Sequence, residues 1–319
     1  MEQPEQPTHQ SPFKRSPFEI VGECLGIYAR HFRKLFLIAL IVQVPLAVLG
    51  FAMADSLPEA EDLERLQVNF MGDPRASLPE TATYSMTDTQ ELPEPLTSDE
   101  IVGFATSVAS LFIATLILQT FASGVTVVAV AMQYATGRID VGVCYGRAWW
   151  RVLSLVILGL LLFGLIVLMV AGLVLFIVPG IVIIVLIIYW SVDVSAVVIE
   201  GYKPMSALKR SFELVRGNWW RTFAALILMT LVVFGLSIVL TLLLTVPMML
   251  IGNEGVITQA ANALLGMLTN AIVVPIAATV GALIYLDLRA RKEDYDIDTL
   301  SQELGFAPRN GSQPDLQDG

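Results

Sequence analysis

Val152 to Ile199 reads VLSLVILGLLLFGLIVLMVAGLVLFIVPGIVIIVLIIYWSVDVSAVVI. The stretch holds no Glu, Lys, Arg or His and a single Asp, Asp193. It breaks once, at Pro179-Gly180, and each side is long enough for the roughly 20 helical residues that cross about 30 Å of hydrocarbon. It reads as a transmembrane hairpin. Its turn, Phe176 to Gly180, is too short and too apolar to hold a domain, so both ends of the stretch return to one side of the bilayer.

The same tripeptide frames the hairpin twice, as Trp149-Trp150-Arg151 before it and Trp219-Trp220-Arg221 after it. Outward from there the composition agrees with a membrane solvent: 55% of residues are apolar, 15% are charged and the mean hydropathy is +0.70. The net charge of -10 is local, because Asp55 to Glu100 carries twelve acidic residues against Arg65 and Arg75. An acidic chain whose basic residues are scattered at interfaces points away from a nucleic-acid partner. Cys24 and Cys144 each precede a basic stretch and are expected to stay reduced, without a disulfide.

Residues 1–15 read as a disordered cytoplasmic tail. Ser16-Pro17-Phe18-Glu19 is a capping box with proline at the first helical position. Behind it Phe18, Val21, Leu25, Tyr28, Phe32 and Leu35 make one apolar face, opposite Glu23, Arg30, Arg33 and Lys34, the pattern of an interfacial helix. Span one follows to Ala54, with a kink expected at Pro45. Residues 55–100 read as an acidic external loop with a short helix from Glu59 to Phe70. Span two lies within Ile101 to Gln133, the hairpin supplies spans three and four, and a second amphipathic helix carries Met205, Leu208, Phe212, Val215 and Trp219 on one face. Span five covers about 222–250, an outer turn falls at 252–255, and span six covers about 260–286. Residues 293–319 read as a polar cytoplasmic tail.

All Lys and Arg except Arg65 and Arg75 fall on one side of this arrangement. The positive-inside rule then places both termini in the cytoplasm. The expected fold is all-α and polytopic: six transmembrane helices within residues 16–292, with amphipathic interfacial helices. His31-Phe32-Arg33 is of the same kind as the two Trp-Trp-Arg motifs, and removing the acidic loop makes the three units about equal, so three pseudo-repeated helical hairpins are a further expectation.

Asp193 is the candidate intramembrane site. A carboxylate there binds a proton, a cation or a polar substrate, or else pairs with water, Lys203 or Arg210 near the cytoplasmic end. Arg151, Arg221, Trp150, Trp220, Lys209 and Arg210 are candidate lipid-headgroup contacts, since guanidinium pairs with phosphate and indole prefers headgroup depth. The polar groups within spans, such as Gln43 and Gln119, read as interhelical hydrogen bonds, and Ala105/Ala109 and Ala277/Gly281 as close helix contacts. No metal-ligand spacing, phosphate loop or nucleophile motif occurs, so neither a metal nor a cofactor is expected.

From Val178-Pro179-Gly180-Ile181 through Val198-Ile199-Glu200, Ala207-Leu208-Lys209-Arg210-Ser211-Phe212-Glu213-Leu214 and Asn218-Trp219-Trp220-Arg221, the chain resembles poorly characterised six-span proteins. These are the YciC-like inner-membrane proteins and the membrane domain ahead of some glycerophosphodiester phosphodiesterases. The resemblance implies a prokaryotic cytoplasmic membrane. No segment here corresponds to the phosphodiesterase barrel, and that activity is not carried over. The expectation is a non-enzymatic structural or accessory protein that touches membrane lipids and works with a protein partner or as a homo-oligomer. The alternative is a small transporter or channel component using Asp193.

Overall fold

The computed structural model describes residues 13–53, 62, 65, 96–175, 182, 185–249 and 256–306. The hairpin turn at 176–180, most of the acidic loop with its expected helix, the outer turn at 252–255, and residues 1–12 and 307–319 lie outside the described residues. Within them the chain is all-helical, with no strand. The elements are α1 (Pro17–Ala52), α2 (Ser98–Thr136), α3 (Val141–Trp149), α4 (Val152–Leu175), α5 (Val185–Glu200), α6 (Pro204–Val215), α7 (Trp219–Met249), α8 (Val256–Glu293) and α9 (Ile297–Glu303).

Contacts divide the chain into two units, Met1–Ala47 with Thr115–Gly319, and Val48–Ala114. In the smaller unit α2 begins on a capping box, where Thr97 N donates to Glu100 Oε2 at 2.8 Å and Glu100 N donates to Thr97 Oγ1 at 3.4 Å. Ser110 Oγ reaches Met53 Sδ at 3.9 Å. The site discussed below belongs to the larger unit.

Local signals set the helix starts. Ser16 N donates to Glu19 Oε2 at 2.6 Å and Glu19 N donates to Ser16 Oγ at 3.2 Å, the reciprocal pair expected for α1. Asp140 caps α3 through Val143 N at 3.1 Å, and Pro204 occupies the first turn of α6. Inside α1 the backbone leaves helical values at His31 (φ -118°, ψ 20°), whereas Pro45 sits within continuous helix. A break in helical backbone therefore falls where the amphipathic segment meets the apolar one. The other two aromatic-cation motifs sit at breaks as well. Between α3 and α4 the direction turns by 72° at Trp150-Arg151, and Gly217, at φ 88°, lies in the turn between α6 and α7.

Four described helices are long and apolar enough to cross a membrane, and six if each of two bent pairs is one span. Their apolar surface is distributed as a lipid solvent requires. The most apolar window of α7 has a hydropathy of 2.8 yet is only 6% buried, with Leu231, Phe234 and Leu243 turned outward. A water-soluble fold does not leave a continuous apolar face of that length exposed. The core lies elsewhere, along Ala122 to Ala135 of α2 and Ala271 to Ala290 of α8.

Close packing rests on glycines other than the small pairs expected from sequence. A β-carbon on Gly124 would lie 2.7 Å from Leu155, and one on Gly159 would lie 2.9 Å from Thr120 Oγ1, so α4 approaches α2 at these two points. Gly281 meets Ser191 only at ordinary contact distance. Gln43 Nε2 donates to Gln119 Oε1 at 3.2 Å, joining α1 to α2 as an interhelical hydrogen bond.

The ends of the folded unit reach beyond the expected boundaries. Phe13 is fully buried against Tyr134 and Tyr295. At the other end Tyr295, Leu300 and Leu304 are buried, so α9 packs onto the helix bundle. Segments that composition assigns to two polar tails therefore begin as part of the core, because each carries a few large apolar side chains that its polar neighbours mask.

Candidate functional site

The charged ends of α5, α6 and α8 meet with α9 in one network. Arg210 Nε donates to both Glu200 oxygens at 3.1 Å, and Tyr285 OH donates to Glu200 Oε1. Arg210 Nη2 pairs with Glu293 at 2.6 Å. Arg289 pairs with Glu293 at 2.9 Å and Glu303 at 2.8 Å, and its guanidinium lies 3.7 Å from the centre of the Tyr295 ring. Tyr295 OH donates to Glu303 at 2.6 Å. Burial pushes the Glu293 carboxyl up, but hydrogen bonds from Arg289 and Arg210 outweigh it and hold the group below its ordinary value. Burial likewise pulls Arg210 down, and its Glu200 and Glu293 partners more than reverse this.

A second knot forms around Asp287, whose side chain is 2% exposed. It accepts from Arg221 Nε at 3.1 Å, Arg291 Nε at 3.0 Å and Arg15 N at 2.7 Å. The expected headgroup contacts thus separate into two groups. Arg151, Arg210 and Arg221 are turned into the protein, Arg151 donating to the carbonyls of Val197 and Val198, where the end of α5 widens into a π-helical turn. Trp150 and Trp220 are exposed, at 90% and 76%. Lys209 is exposed too and makes one long ion pair, to Glu213 at 3.9 Å.

Asp193 stands apart from both knots. Of the partners expected for it, Arg210 is engaged by Glu200 and Glu293. The carboxylate is 3% exposed, and Oδ1 accepts from Val194 N at 2.6 Å. Oδ2 has no hydrogen-bond partner, nor has the Ser191 hydroxyl. The local fold explains the position. Regular helix stops at Tyr189 and resumes at Asp193, and Ser211 of α6 bridges the gap by accepting from Val192 N at 3.3 Å and donating to Tyr189 O at 2.8 Å. Asp193 lines a cavity of about 490 Å³ whose walls include Leu162, Ile187, Trp190, Phe223 and Ile227. A second cavity of about 550 Å³ shares Leu162 and Trp190 and has Lys209 on its wall.

Residues 76–288 match the DUF7847 family, a domain of unknown function. That span is more than half of the chain. The chain belongs to the DUF7847 family. No curated protein and no solved structure matches it. The DUF7847 match takes in Trp150, Arg151, Asp193, Glu200, Arg210, Trp220, Arg221, Tyr285 and Asp287. It ends before Arg289, Glu293 and Glu303, which complete the charged network.

The sequence reading missed Glu200, Tyr285, Asp287, Arg289, Glu293 and Glu303 as a group. One signal was present: Tyr285, Arg289 and Glu293, and separately Asp287 and Arg291, recur at four-residue steps on one helix. Among the described residues no three His, Cys, Asp or Glu side chains assemble as a metal site.

Proposed function

We propose that this DUF7847 protein crosses the prokaryotic cytoplasmic membrane six times, with both termini in the cytoplasm, and serves as a non-enzymatic structural or accessory component. In this reading α4 and α5 are the spans of the two bent pairs and α3 and α6 lie in the interface, and the three aromatic-cation bends mark three pseudo-repeated hairpins. The carrying observation is the division of labour at the basic end. Arg151, Arg210 and Arg221 tie helix ends together, while Trp150, Trp220 and Lys209 stand exposed. Exposed indoles with a lysine suit anionic headgroups, and the rigid charged layer beneath suits a platform for a protein partner or a second copy.

Native mass spectrometry of the protein released from bilayers of mixed phosphatidylglycerol and phosphatidylcholine tests the lipid contact. Wild type should retain phosphatidylglycerol preferentially, and the Trp150→Ala, Lys209→Ala, Trp220→Ala triple variant should lose that preference; equal retention by both proteins would rule the contact out. A second reading, a small transporter or channel component, draws on the unpartnered Asp193 oxygen at a helix break. It requires a solute or ion flux in proteoliposomes that Asp193→Asn abolishes.

A further inference from the structure

We infer that the Asp193 cavity is a binding site for a lipophilic ammonium ion: a protonated amine carried on an apolar chain. Binding there requires neither translocation nor the headgroup contacts proposed above, so the site stands or falls by itself. Three observations converge on this chemistry. A nine-tenths-buried carboxylate has one oxygen satisfied by Val194 N and the other, Oδ2, without a partner. The Ser191 hydroxyl, on the same cavity wall, is also unpartnered and can accept a second N–H. The other lining residues are apolar except Thr230, whose hydroxyl already donates to Leu226 O.

Charge and shape together narrow the occupant. A bare divalent cation needs several oxygen ligands, and among the described residues no such group assembles. A neutral apolar molecule would fill the walls and leave the carboxylate unmatched. An ammonium head satisfies Oδ2 through a charge-assisted hydrogen bond, its tail lies against Leu162 and Ile227, and the Trp190 and Phe223 rings can attract the cationic head. The cavity volume, about 490 Å³, falls within the ~300–1,000 Å³ range of small-molecule sites. The ammonium can come from a free alkylamine or from the headgroup of an aminophospholipid.

Native mass spectrometry of the full chain from a neutral detergent, with n-decylammonium and n-decanol as matched probes, decides the matter. One decylammonium should be retained about tenfold or more in preference to decanol. Asp193→Asn should bring the two probes level. Leu226→Trp, which fills the cavity and leaves the carboxylate in place, should abolish retention of decylammonium, and it carries the test if the Asn variant does not fold. Lysophosphatidylethanolamine is the third probe. Retention of it as strongly as decylammonium assigns the site to a lipid headgroup, and retention of the amine alone assigns it to a free alkylamine. Equal retention of decanol and decylammonium by wild type, no retention of either, or an unchanged preference in the Asn variant overturns the inference.

Discussion

Arg151 and Trp150 are neighbours with the same expected role in sequence and opposite roles in the fold. The guanidinium donates 2.5 Å to Val198 O and also to Val197 O. The indole beside it is 90% exposed. A π-helical turn shifts backbone pairing by one residue and leaves carbonyls needing outside donors. Arg151 supplies them, and its head crowds Gly201, where a β-carbon would lie 3.1 Å from Nη2. Gly201 holds φ at 79°, the left-handed value that ends the helix. Val197 O also accepts from Gly201 N at 3.1 Å, so Arg151→Ala should cost about 1.5–3 kcal/mol through the lost hydrogen bonds of a charged donor, whereas Trp150→Ala should change stability by less than about 0.5 kcal/mol. Thermal or denaturant unfolding of both variants in one detergent checks this, and equal losses would remove Arg151 from its structural role.

At the scale of elements, the attachment of α6 to α8 depends on charge through Arg210 and Glu293, while α9 is held to α8 by Arg289 and Glu303. Glu293 accepts from both Arg289 and Arg210, and these hydrogen bonds, set against the upward push of burial, lower its pKa below the ordinary 4.5. A carboxylate depressed on folding contributes its full stability above the unfolded pKa and loses it as pH falls through the lower folded value. Hydrogen-exchange protection in α6 should hold between pH 7 and 5 and begin to fall below about pH 4.5. Glu293→Gln should flatten that part of the profile, and Arg289→Ala should expose residues 294–303 to protease already at neutral pH. A protected α9 in the Arg289 variant would show that Leu300 and Leu304 suffice alone. The individual elements were legible because their signals are local: the Ser16-Glu19 box, the amphipathic stripes and the uninterrupted apolar runs each lie within one helix. The network was legible only as the four-residue spacing of Tyr285, Arg289 and Glu293, because Glu200 and Arg210 meet Tyr285 and Glu293 across more than 70 residues and that pairing leaves no periodic trace. Asp193 was legible as an oddity, a lone acid in an apolar run, but its partner was not. Its place near the cytoplasmic end suggested water, Lys203 or Arg210 as partner, and Glu200 and Glu293 pre-empt Arg210.

At the scale of the whole molecule, the topology can be tested with the protein's own thiols as a silent background. Cys24 and Cys144 are both fully buried and unpaired. Burial, reinforced by Glu23 at Cys24 and by Asp140 at Cys144, pushes each thiol up to about 12. Maleimide reacts with the thiolate, so the wild-type chain should take up almost none at pH 7 while folded and two equivalents once denatured. Introduced cysteines then report position without removal of the native ones. Ser85→Cys lies in the acidic segment and Gln302→Cys lies on the exposed side of α9. With the termini inside, a membrane-impermeant maleimide added to intact cells should label Ser85→Cys and reach Gln302→Cys only after permeabilisation. The reverse order would invert the orientation, and labelling of both positions in intact cells would exclude the six-span arrangement.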